Sequence, residues 1–241
     1  MYSLTNIVCA WPPVHAQLTS CFLKPVLGKH LIQLELHENN FMYKDNGLST
    51  QDHHFWSNIL TNRTQGYKMK ITIQEILEGS ILDVGGGGEC VIGQIYGRKV
   101  IAIDDLQEEL DEAPDCCEKR LMDATNLLFT DASFDNVTFF YSLMYMTNET
   151  QRKAIGEAAR VLKQGGRMFI WDSKFPVAYP DPYIVHIDIH FGLKNIRTSY
   201  GIVKNEAQKY EDIVNFIISN GLSLEHNSKT DDHFFISARK A

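Results

Sequence analysis

The fold is decided by the stretch Ser80-Ile-Leu-Asp-Val-Gly-Gly-Gly-Gly-Glu-Cys-Val-Ile-Gly-Gln-Ile-Tyr-Gly97. Its apolar start ends in four consecutive glycines, which predicts a buried strand followed by a tight turn. Apolar residues then recur at helical spacing up to Gly97, where we expect the helix to end. Because glycine lets a ligand approach the first N–H groups of a helix, the stretch predicts a nucleotide-type site. A glycine-rich surface loop is the alternative, although such loops are seldom bracketed by a strand and a helix.

The composition is that of an ordinary globular protein. The chain has 241 residues, of which 44% are hydrophobic and 22% are charged, so disorder and membrane spanning are both disfavoured. This length favours one domain with an appendage. Residues 1–17 lack the basic start and the unbroken apolar segment of a signal peptide, so we expect a cytoplasmic protein.

Charge and cysteine content exclude several classes of function. The net charge of −7 argues against a nucleic-acid-binding protein, because such proteins neutralise phosphates with basic residues. The five cysteines are odd in number and show no C-x-x-C spacing, so neither a disulfide framework nor a zinc knuckle is predicted. The adjacent Cys116 and Cys117 are expected to be reduced and partly buried, and no metal site is predicted.

Residues 1–70 form an N-terminal extension without the regular pattern that follows. Ile32, Leu34 and Leu36 alternate with polar residues, which predicts a half-buried strand and a small β meander. Residues 52–56 include two adjacent histidines and indicate the start of a helix better than a metal site, because adjacent histidines on a helix point to different faces. Apolar residues at 71, 76 and 77 suggest a short helix before the glycines.

From residue 80 the pattern becomes strand, helix, strand, helix, which predicts a mostly parallel sheet covered on both faces. The predicted strands after the glycine turn are 99–104, 119–123, 136–142 and 167–172, and the helices lie at 106–112 and 148–162. A hairpin at about 183–203 and a helix near 213–217 follow. The last strands, 222–228 and 233–240, predict an antiparallel end to the sheet. The expected fold is therefore α/β and doubly wound, with an antiparallel C-terminal strand, an N-terminal extension and a β-hairpin insertion.

Three acids lie in or at the ends of consecutive predicted strands: Asp83, Asp104 and Asp123. Ligands of open α/β sheets bind beyond the carboxyl ends of the strands. Asp104 follows the glycine turn by about 20 residues, the spacing at which an acid accepts hydrogen bonds from ribose hydroxyls. Each acid alone could instead cap the next helix.

A dinucleotide-dependent dehydrogenase would show the same acid, but its glycines stand in the register G-x-G-x-x-G. If the motif starts at Gly85 and Gly87, its third glycine position is occupied by Cys90; if it starts at Gly86 and Gly88, that position is occupied by Val91. The register is therefore broken. The antiparallel hairpin after the fifth strand is also unusual for a nicotinamide-binding half. A nicotinamide-dependent oxidoreductase therefore stays as the alternative function.

Together these segments resemble the class I S-adenosylmethionine-dependent methyltransferases, whose fold is Rossmann-like, over residues 80–241. The resemblance rests on Ile81-Leu-Asp-Val-Gly-Gly-Gly-Gly, Val100-Ile-Ala-Ile-Asp104, Met122-Asp123-Ala124, Phe134-Asp135-Asn136-Val137 and Ala159-Arg160-Val161-Leu162-Lys163-Gln164-Gly165-Gly166-Arg167. More narrowly, the glycine run with Glu89 and Ser142-Leu-Met-Tyr145 resemble a group of uncharacterised small microbial methyltransferases.

The resemblance implies binding of S-adenosyl-L-methionine by residues at the strand ends. The implied cofactor-binding residues are Asp83, Gly85, Gly86, Gly87, Asp104, Asp105, Asp123, Ala124 and Ser142. Asp83 and the glycines would surround the methionine portion, Asp104 would hold the ribose, and Asp123 and Ala124 would hold the adenine. Glu89 departs from the family, because it stands where the third glycine of G-x-G-x-G would be.

The implied function is methyl transfer to an unidentified small-molecule acceptor by a domain spanning residues 71–241, with residues 1–70 and the hairpin covering the acceptor site. A module that binds S-adenosylmethionine without catalysis is a further alternative. Transfer from a sulfonium needs little acid–base chemistry, because its leaving group is neutral. Nucleic-acid bases and glutamine are disfavoured as acceptors, because Ser142-Leu-Met-Tyr145 stands where Asn-Pro-Pro-Tyr would be. Neither a nucleic acid nor a membrane is expected as a partner, and the residues indicate no oligomeric state.

The candidates for a catalytic base are Tyr145, His186 and His190. His186, Asp188 and His190 alternate with isoleucines, so they project from one face of the predicted strand, at a spacing suited to metal binding or proton transfer. The solvated face of a hairpin strand explains the same alternation and is the favoured interpretation.

Overall fold

The structure of the protein is a computed structural model, which describes residues 6–10, 19–25, 32–37, 40–44, 67–176 and 183–241. The chain divides into two compact units. The first unit comprises Met1–Ile73 and Pro176–Ala207, and the second comprises Gln74–Phe175 and Gln208–Ala241. None of the described helices has the length and apolar character needed to cross a membrane.

The first unit contains a seven-stranded sheet in the order β4-β3-β2-β1-β12-β11-β5. Its strands are β1 (Asn6–Ala10), β2 (Thr19–Pro25), β3 (Ile32–His37), β4 (Asn40–Lys44), β5 (Tyr67–Thr72), β11 (Tyr183–Phe191) and β12 (Lys194–Lys204). β11 and β12 form the predicted hairpin, in which Phe191 pairs with Lys194. β12 also pairs with β1, and β11 pairs in parallel with β5, so the hairpin lies in the interior of this sheet.

The short helix predicted from the apolar residues at 71, 76 and 77 is wrong, because the chain forms β5 there. Ile71 and Ile73 are buried while Lys70 and Thr72 are exposed, which is the two-residue period of a strand. Ile76 is exposed and belongs to no helix. The helix start and the adjacent histidines predicted at 52–56 lie outside the described residues.

The second unit contains the predicted α/β fold. Its sheet has the order β8-β7-β6-β9-β10-β14-β13. The strands are β6 (Ile81–Val84), β7 (Val100–Asp104), β8 (Glu118–Leu121), β9 (Phe134–Phe140), β10 (Leu162–Ser173), β13 (Leu222–Lys229) and β14 (His233–Lys240). β6 to β10 run parallel to one another, and β14 pairs antiparallel with β10 and β13. The prediction of a mostly parallel sheet with an antiparallel C-terminal strand is therefore confirmed.

Four helices accompany this sheet: α1 (Val91–Tyr96), α2 (Gln107–Glu112), α3 (Asn148–Val161) and α4 (Tyr210–Ser219). All four residues of β6 are buried, which explains why its sequence is apolar apart from Asp83, and β6 lies in the interior of the sheet between β7 and β9. Buried apolar residues of α3 and α4, among them Ile155 and Ile217, pack in one core cluster with those of the strands.

The strand order places a topological switch point at β6. The chain passes from β6 outward to β7 and β8, and then returns to form β9 on the other side of β6. Ligands of doubly wound sheets bind outside the carboxyl ends of the strands at such a point. The topology therefore predicts a ligand-binding site at the residues that follow β6 and β9.

Several predicted boundaries change for local reasons. β8 ends at Leu121, so Asp123 lies in a turn beyond the strand. β9 ends at Phe140, because Tyr141 adopts a φ of 52°, outside the range of a strand. The helix predicted at 148–162 ends one residue earlier, at Val161, and the side chain of Thr147 caps its start by accepting a hydrogen bond from the N–H of Thr150.

Candidate functional site

The glycine turn after β6 is held against the end of β7. The N–H groups of Gly85 and Gly86 both donate to the carbonyl of Ile103, at 2.9 Å. Gly85 has a φ of 72°, in the left-handed region, and a Cβ on it would lie 2.5 Å from the Cβ of Ser142. Position 85 therefore requires glycine for two reasons: its backbone conformation and its close approach to Ser142.

The next glycines are required by crowding rather than by backbone conformation. A Cβ on Gly86 would lie 2.5 Å from Oδ2 of Asp83. A Cβ on Gly87 would lie 2.6 Å from the Cβ of Glu109 and 2.8 Å from Oδ2 of Asp104. Side chains of three acids thus pack directly against a backbone that carries no side chains of its own.

Asp104 ends β7 and connects it to the glycine turn. Its Oδ2 accepts a hydrogen bond from the N–H of Gly87 at 3.2 Å, and its Oδ1 accepts one from the N–H of Leu106 at 3.1 Å. The carboxylate is half-buried, whereas the neighbouring Asp105 is exposed. Backbone donors on both sides orient the Asp104 carboxylate at the carboxyl end of the sheet.

Asp83 lies beneath the turn, within β6, and is 1% exposed. Thr138 on the neighbouring β9 donates a hydrogen bond from Oγ1 to Oδ1 of Asp83, at 2.7 Å. Burial raises the pKa of Asp83 to about 7, and the hydrogen bond from Thr138 only partly opposes this. The predicted role of Asp83 beside the methionine portion stays a prediction, since its observed contacts are with the turn and the sheet.

The predicted adenine-binding residues, Asp123 and Ala124, lie in the turn after β8. The N–H of Met122 donates to the carbonyl of Asp104 at 2.8 Å, which holds this turn next to the end of β7. Oδ1 of Asp123 accepts hydrogen bonds from both the N–H and the hydroxyl of Thr125, at 2.7 and 2.8 Å. The turn thus extends the row of polar groups that begins at the glycines.

Ser142 closes the site from the side of β9. Its hydroxyl donates to the carbonyl of Val84 at 2.7 Å, which ties the end of β9 to the start of the glycine turn. The preceding Tyr141 is buried in a left-handed conformation, and its hydroxyl lies 2.8 Å from Nδ1 of His233. Burial lowers the pKa of His233 to about 4, so this histidine is neutral at neutral pH. Backbone strain of this kind is found frequently at functional sites.

A buried polar network next to Ser142 was missed from the sequence. Oδ2 of Asp172 accepts from the N–H of Met144 at 3.3 Å, and its Oδ1 accepts from Nε2 of Gln208 at 2.8 Å. Nε2 of Gln151 donates hydrogen bonds to Oε1 of Gln208 and to the carbonyl of Leu143. Asp172 ends a predicted strand, as Asp104 does, so its position was a usable signal. No local pattern marks the two glutamines, because their partners are distant in sequence.

This network predicts a pH-dependent stability. Burial raises the pKa of Asp172 from 3.8 to about 7, although several N–H groups donate to it. Between about pH 4 and pH 7 the folded protein therefore retains a proton that the unfolded chain has lost, so the free energy of unfolding falls as pH rises. Asp83 contributes in the same direction.

The variant Asp172→Asn lacks the pH-dependent contribution of Asp172 to the free energy of unfolding, because an amide does not titrate. In urea unfolding across this pH range, the slope of the unfolding free energy against pH is expected to be less negative than that of the wild type by up to about 1.4 kcal/mol per pH unit. The variant is also expected to be less stable throughout, because the amide N–H₂ cannot accept from the donors that surround it. Identical pH slopes in the two proteins would contradict this role of Asp172.

The catalytic candidates fall into different units. Tyr145 lies in the turn after Ser142 and is partly exposed, within the second unit. His186 and His190 belong to β11 in the first unit. His186 Nδ1 lies 2.7 Å from the hydroxyl of Ser199 on β12, and His190 Nε2 lies 3.5 Å from Oδ2 of Asp188. The alternation along β11 is as predicted, with buried isoleucines and partly exposed polar residues.

Comparison with known proteins gives a partial match to one family. Residues 82–170 match a family described as a methyltransferase domain. An uncharacterized methyltransferase from Bacillus subtilis strain 168 is 31% identical over 109 residues, which cover 41% of this chain and 42% of that protein. The chain thus spans about two fifths of the length of this curated relative.

Solved structures share the fold at low sequence identity. A protein from Pyrococcus horikoshii OT3 is 16% identical with a TM-score of 0.51, and the match covers 68% of this chain and 83% of that one. A protein from Bacillus halodurans C-125, provisionally named as a methyltransferase, is 19% identical with a TM-score of 0.50, covering 68% and 94%. At these identities the similarity concerns the fold alone.

Proposed function

We propose that the protein transfers a methyl group from S-adenosylmethionine to a small-molecule acceptor. The match of residues 82–170 to a family described as a methyltransferase domain, and the partial match to an uncharacterized methyltransferase, support this function. The supporting residues gather beyond the carboxyl ends of β6, β7 and β9. They are the glycine turn, Asp104, the turn at 122–124 and Ser142. This is the edge at which a doubly wound sheet binds its ligand.

The observation that carries the proposal is the acidity of the glycine turn. Asp104 and Glu109 pack against Gly87, and a Cβ on Gly88 would lie 3.0 Å from Oε2 of Glu109. Glu89 follows immediately and is buried. Carboxylates this close to the backbone of the glycine turn would repel the pyrophosphate of a dinucleotide bound there, whereas they would attract a ligand that carries positive charge. S-adenosylmethionine carries a sulfonium and an ammonium group, so these residues suit it better than a nicotinamide dinucleotide.

The residues at the turn also fit the neutral parts of this cofactor. The unbranched backbone at Gly85 and Gly87 allows a ligand to come within contact distance. A carboxylate has about four lone-pair sites, so the backbone hydrogen bonds to Asp104 are compatible with additional bonds from two ribose hydroxyls. Glu89 replaces a glycine of the family pattern. A carboxylate is electrostatically favourable at the start of a helix, and it would also suit a ligand that carries positive charge.

When bound, S-adenosylmethionine supplies an electrophilic methyl group and a neutral leaving group. The protein then has to hold the acceptor in line and keep water out, which accounts for most of the rate in such a reaction. An acceptor that carries a proton also needs a base. We assign Tyr145 to this role in preference to the two histidines, because Tyr145 follows Ser142 in the same unit as the glycine turn.

The proposal is tested by incubating the protein with methyl-labelled S-adenosylmethionine and a panel of small alcohols, amines, thiols and carboxylic acids. We expect formation of S-adenosylhomocysteine together with a labelled acceptor for at least one class, detected by mass spectrometry. Tyr145→Phe is expected to lower the turnover number while leaving cofactor affinity unchanged, since it removes only the phenolic hydroxyl. A panel without labelled product, combined with tight cofactor binding, would favour a binding module without catalysis.

A nicotinamide-dependent oxidoreductase is the second candidate, because Asp104 is placed as the ribose-binding acid of such enzymes is. The fluorescence of added NADH separates the two functions. We expect no saturable change in this fluorescence. A saturating change that S-adenosylhomocysteine does not displace would reverse the order of the two candidates.

A further inference from the structure

Three cysteine sulfurs converge directly behind the glycine turn. The Sγ atoms of Cys90, Cys116 and Cys117 all lie within 4.8 Å of one another. The Sγ of Cys90 is 3.3 Å from that of Cys117 and 3.7 Å from that of Cys116. Cys90 precedes α1 and the other two precede β8, so the cluster joins two separate loops of the second unit. All three are free thiols.

Space for this cluster is provided by Gly93, one turn into α1. A Cβ on Gly93 would lie 2.7 Å from the Sγ of Cys117 and 3.0 Å from that of Cys116, and it would also collide with the Sγ of Cys90. Glycine within a helix costs about 1 kcal/mol relative to alanine. The φ of Gly93 lies outside the left-handed region, so the backbone does not require glycine, whereas the three sulfurs do.

We propose that Cys90, Cys116 and Cys117 form a binding site for one thiophilic d¹⁰ metal ion, Zn(II) or Cu(I), held by three thiolates. Zinc–sulfur bonds of about 2.3 Å separate the sulfurs of a tetrahedral or trigonal site by about 3.8 to 4.0 Å. The observed separations of 3.3 and 3.7 Å need only small adjustments to reach this geometry. Soft thiolate ligands select these ions over Mg²⁺ and Ca²⁺.

Burial and charge around the cluster support an ion rather than simple packing. Cys90 and Cys117 are each 2% exposed, whereas Cys116 is partly exposed and provides access from solvent. The buried carboxyl group of Asp83 acts electrostatically on Cys90 and on Cys117. When the three sulfurs are deprotonated to bind an ion, their negative charges and that of Asp83 would repel one another, and the bound cation would offset this repulsion. Cys90 also adopts a φ of 48°, which is uncommon for any residue other than glycine.

The metal site would be coupled to the glycine turn. The N–H of Cys90 donates to the carbonyl of Gly87 at 3.1 Å, and its carbonyl accepts from the N–H of Gln94 at 2.8 Å. An ion held by Cys90 would therefore fix the join between the turn and α1. The metal site itself is inferred from the sulfurs and Gly93 alone, so it does not depend on the proposed function.

The test is a titration of the reduced, metal-free full-length protein with Co(II), followed by displacement with Zn(II), and a separate competition for Cu(I) against bicinchoninate. We expect one equivalent to bind, with a near-ultraviolet thiolate-to-cobalt charge-transfer band if the site takes a tetrahedral divalent ion, or retention of one Cu(I) against the competitor if it prefers that ion. Either arm supports the site and identifies the ion. If the protein shows no charge-transfer absorption with Co(II) and also fails to retain Cu(I), the proposal is overturned.

Two variants localise the binding. Cys116→Ser removes the partly exposed ligand, and Gly93→Ala places a methyl group against the three sulfurs while retaining all three cysteines in the chain. Each is expected to weaken metal binding by more than about tenfold, with circular dichroism confirming the fold. Gly156→Ala, at a helical glycine of α3 whose Cβ would approach only Asn220, is the matched control and should bind as the wild type does. Unchanged affinity in folded Cys116→Ser and Gly93→Ala would also overturn the proposal.

Discussion

Replacing Asp104 with alanine is expected to lower the affinity of the protein for S-adenosylhomocysteine by about 100-fold or more. Two hydrogen bonds from ribose hydroxyls to a carboxylate contribute about 1.5 to 3 kcal/mol each, and losing them accounts for at least this factor. The variant also loses the acceptor of the N–H groups of Gly87 and Leu106, which orient the glycine turn. Isothermal titration calorimetry on the wild type and the variant measures the effect.

The matched control is Asp111→Ala, which removes an exposed carboxylate from α2. Asp111 accepts a hydrogen bond from Gln107 on the same helix, so its removal alters net charge as Asp104→Ala does but leaves the glycine turn intact. We expect its affinity to equal that of the wild type. Asp105→Ala shows whether the exposed neighbour contributes, as the family resemblance implies. Equal affinities for Asp104→Ala and Asp111→Ala would remove Asp104 from the site.

Gly85→Ala is expected to give the largest loss of stability among single substitutions in the turn. The new Cβ would lie 2.5 Å from the Cβ of Ser142, at a φ of 72°. The left-handed conformation costs about 1 to 2 kcal/mol for a residue with a Cβ, and the overlap adds about 1 to 3 kcal/mol. Urea unfolding should therefore show a loss of about 2 to 5 kcal/mol.

Gly221→Ala separates the two contributions, because Gly221 has a φ of 80° and a Cβ on it would meet no atom within 4 Å. It is expected to lose only the conformational part, about 1 to 2 kcal/mol. The double variant Gly85→Ala/Ser142→Gly removes the overlapping Cβ and should regain part of the loss. If Gly85→Ala and Gly221→Ala are destabilised equally, the packing of the turn against Ser142 is not as described.

The central part of the second unit was predictable from the sequence because its signals are local. β6 is apolar apart from Asp83 because both of its faces are buried, and the glycines that end it are the ones that the turn needs. Likewise, Asp104 ends β7 as expected from its position after an apolar run. The boundaries were less accurate where a single residue decides them, as the left-handed Tyr141 does at the end of β9.

Features that depend on distant residues were missed. The local sequence predicts a short helix where β5 ends, and it contains no sign of the strand because the pairing partner, β11, lies more than a hundred residues further along the chain. Gln208 reaches Asp172 and Gln151 across 36 and 57 residues, and no pattern near Gln208 indicates this. The cysteine cluster was missed for the same reason, since 27 residues separate Cys90 from Cys117 and C-x-x-C spacing is absent.

The central claim is that the glycine turn, Asp104 and the residues after β8 and β9 form a site for S-adenosylmethionine. It is tested most directly by calorimetric titration of the intact wild-type protein with S-adenosylhomocysteine, with NADH titrated in parallel. We predict saturable binding of one S-adenosylhomocysteine per chain and no heat from NADH. Absence of binding at millimolar S-adenosylhomocysteine, or saturable binding of NADH in its place, would contradict the claim.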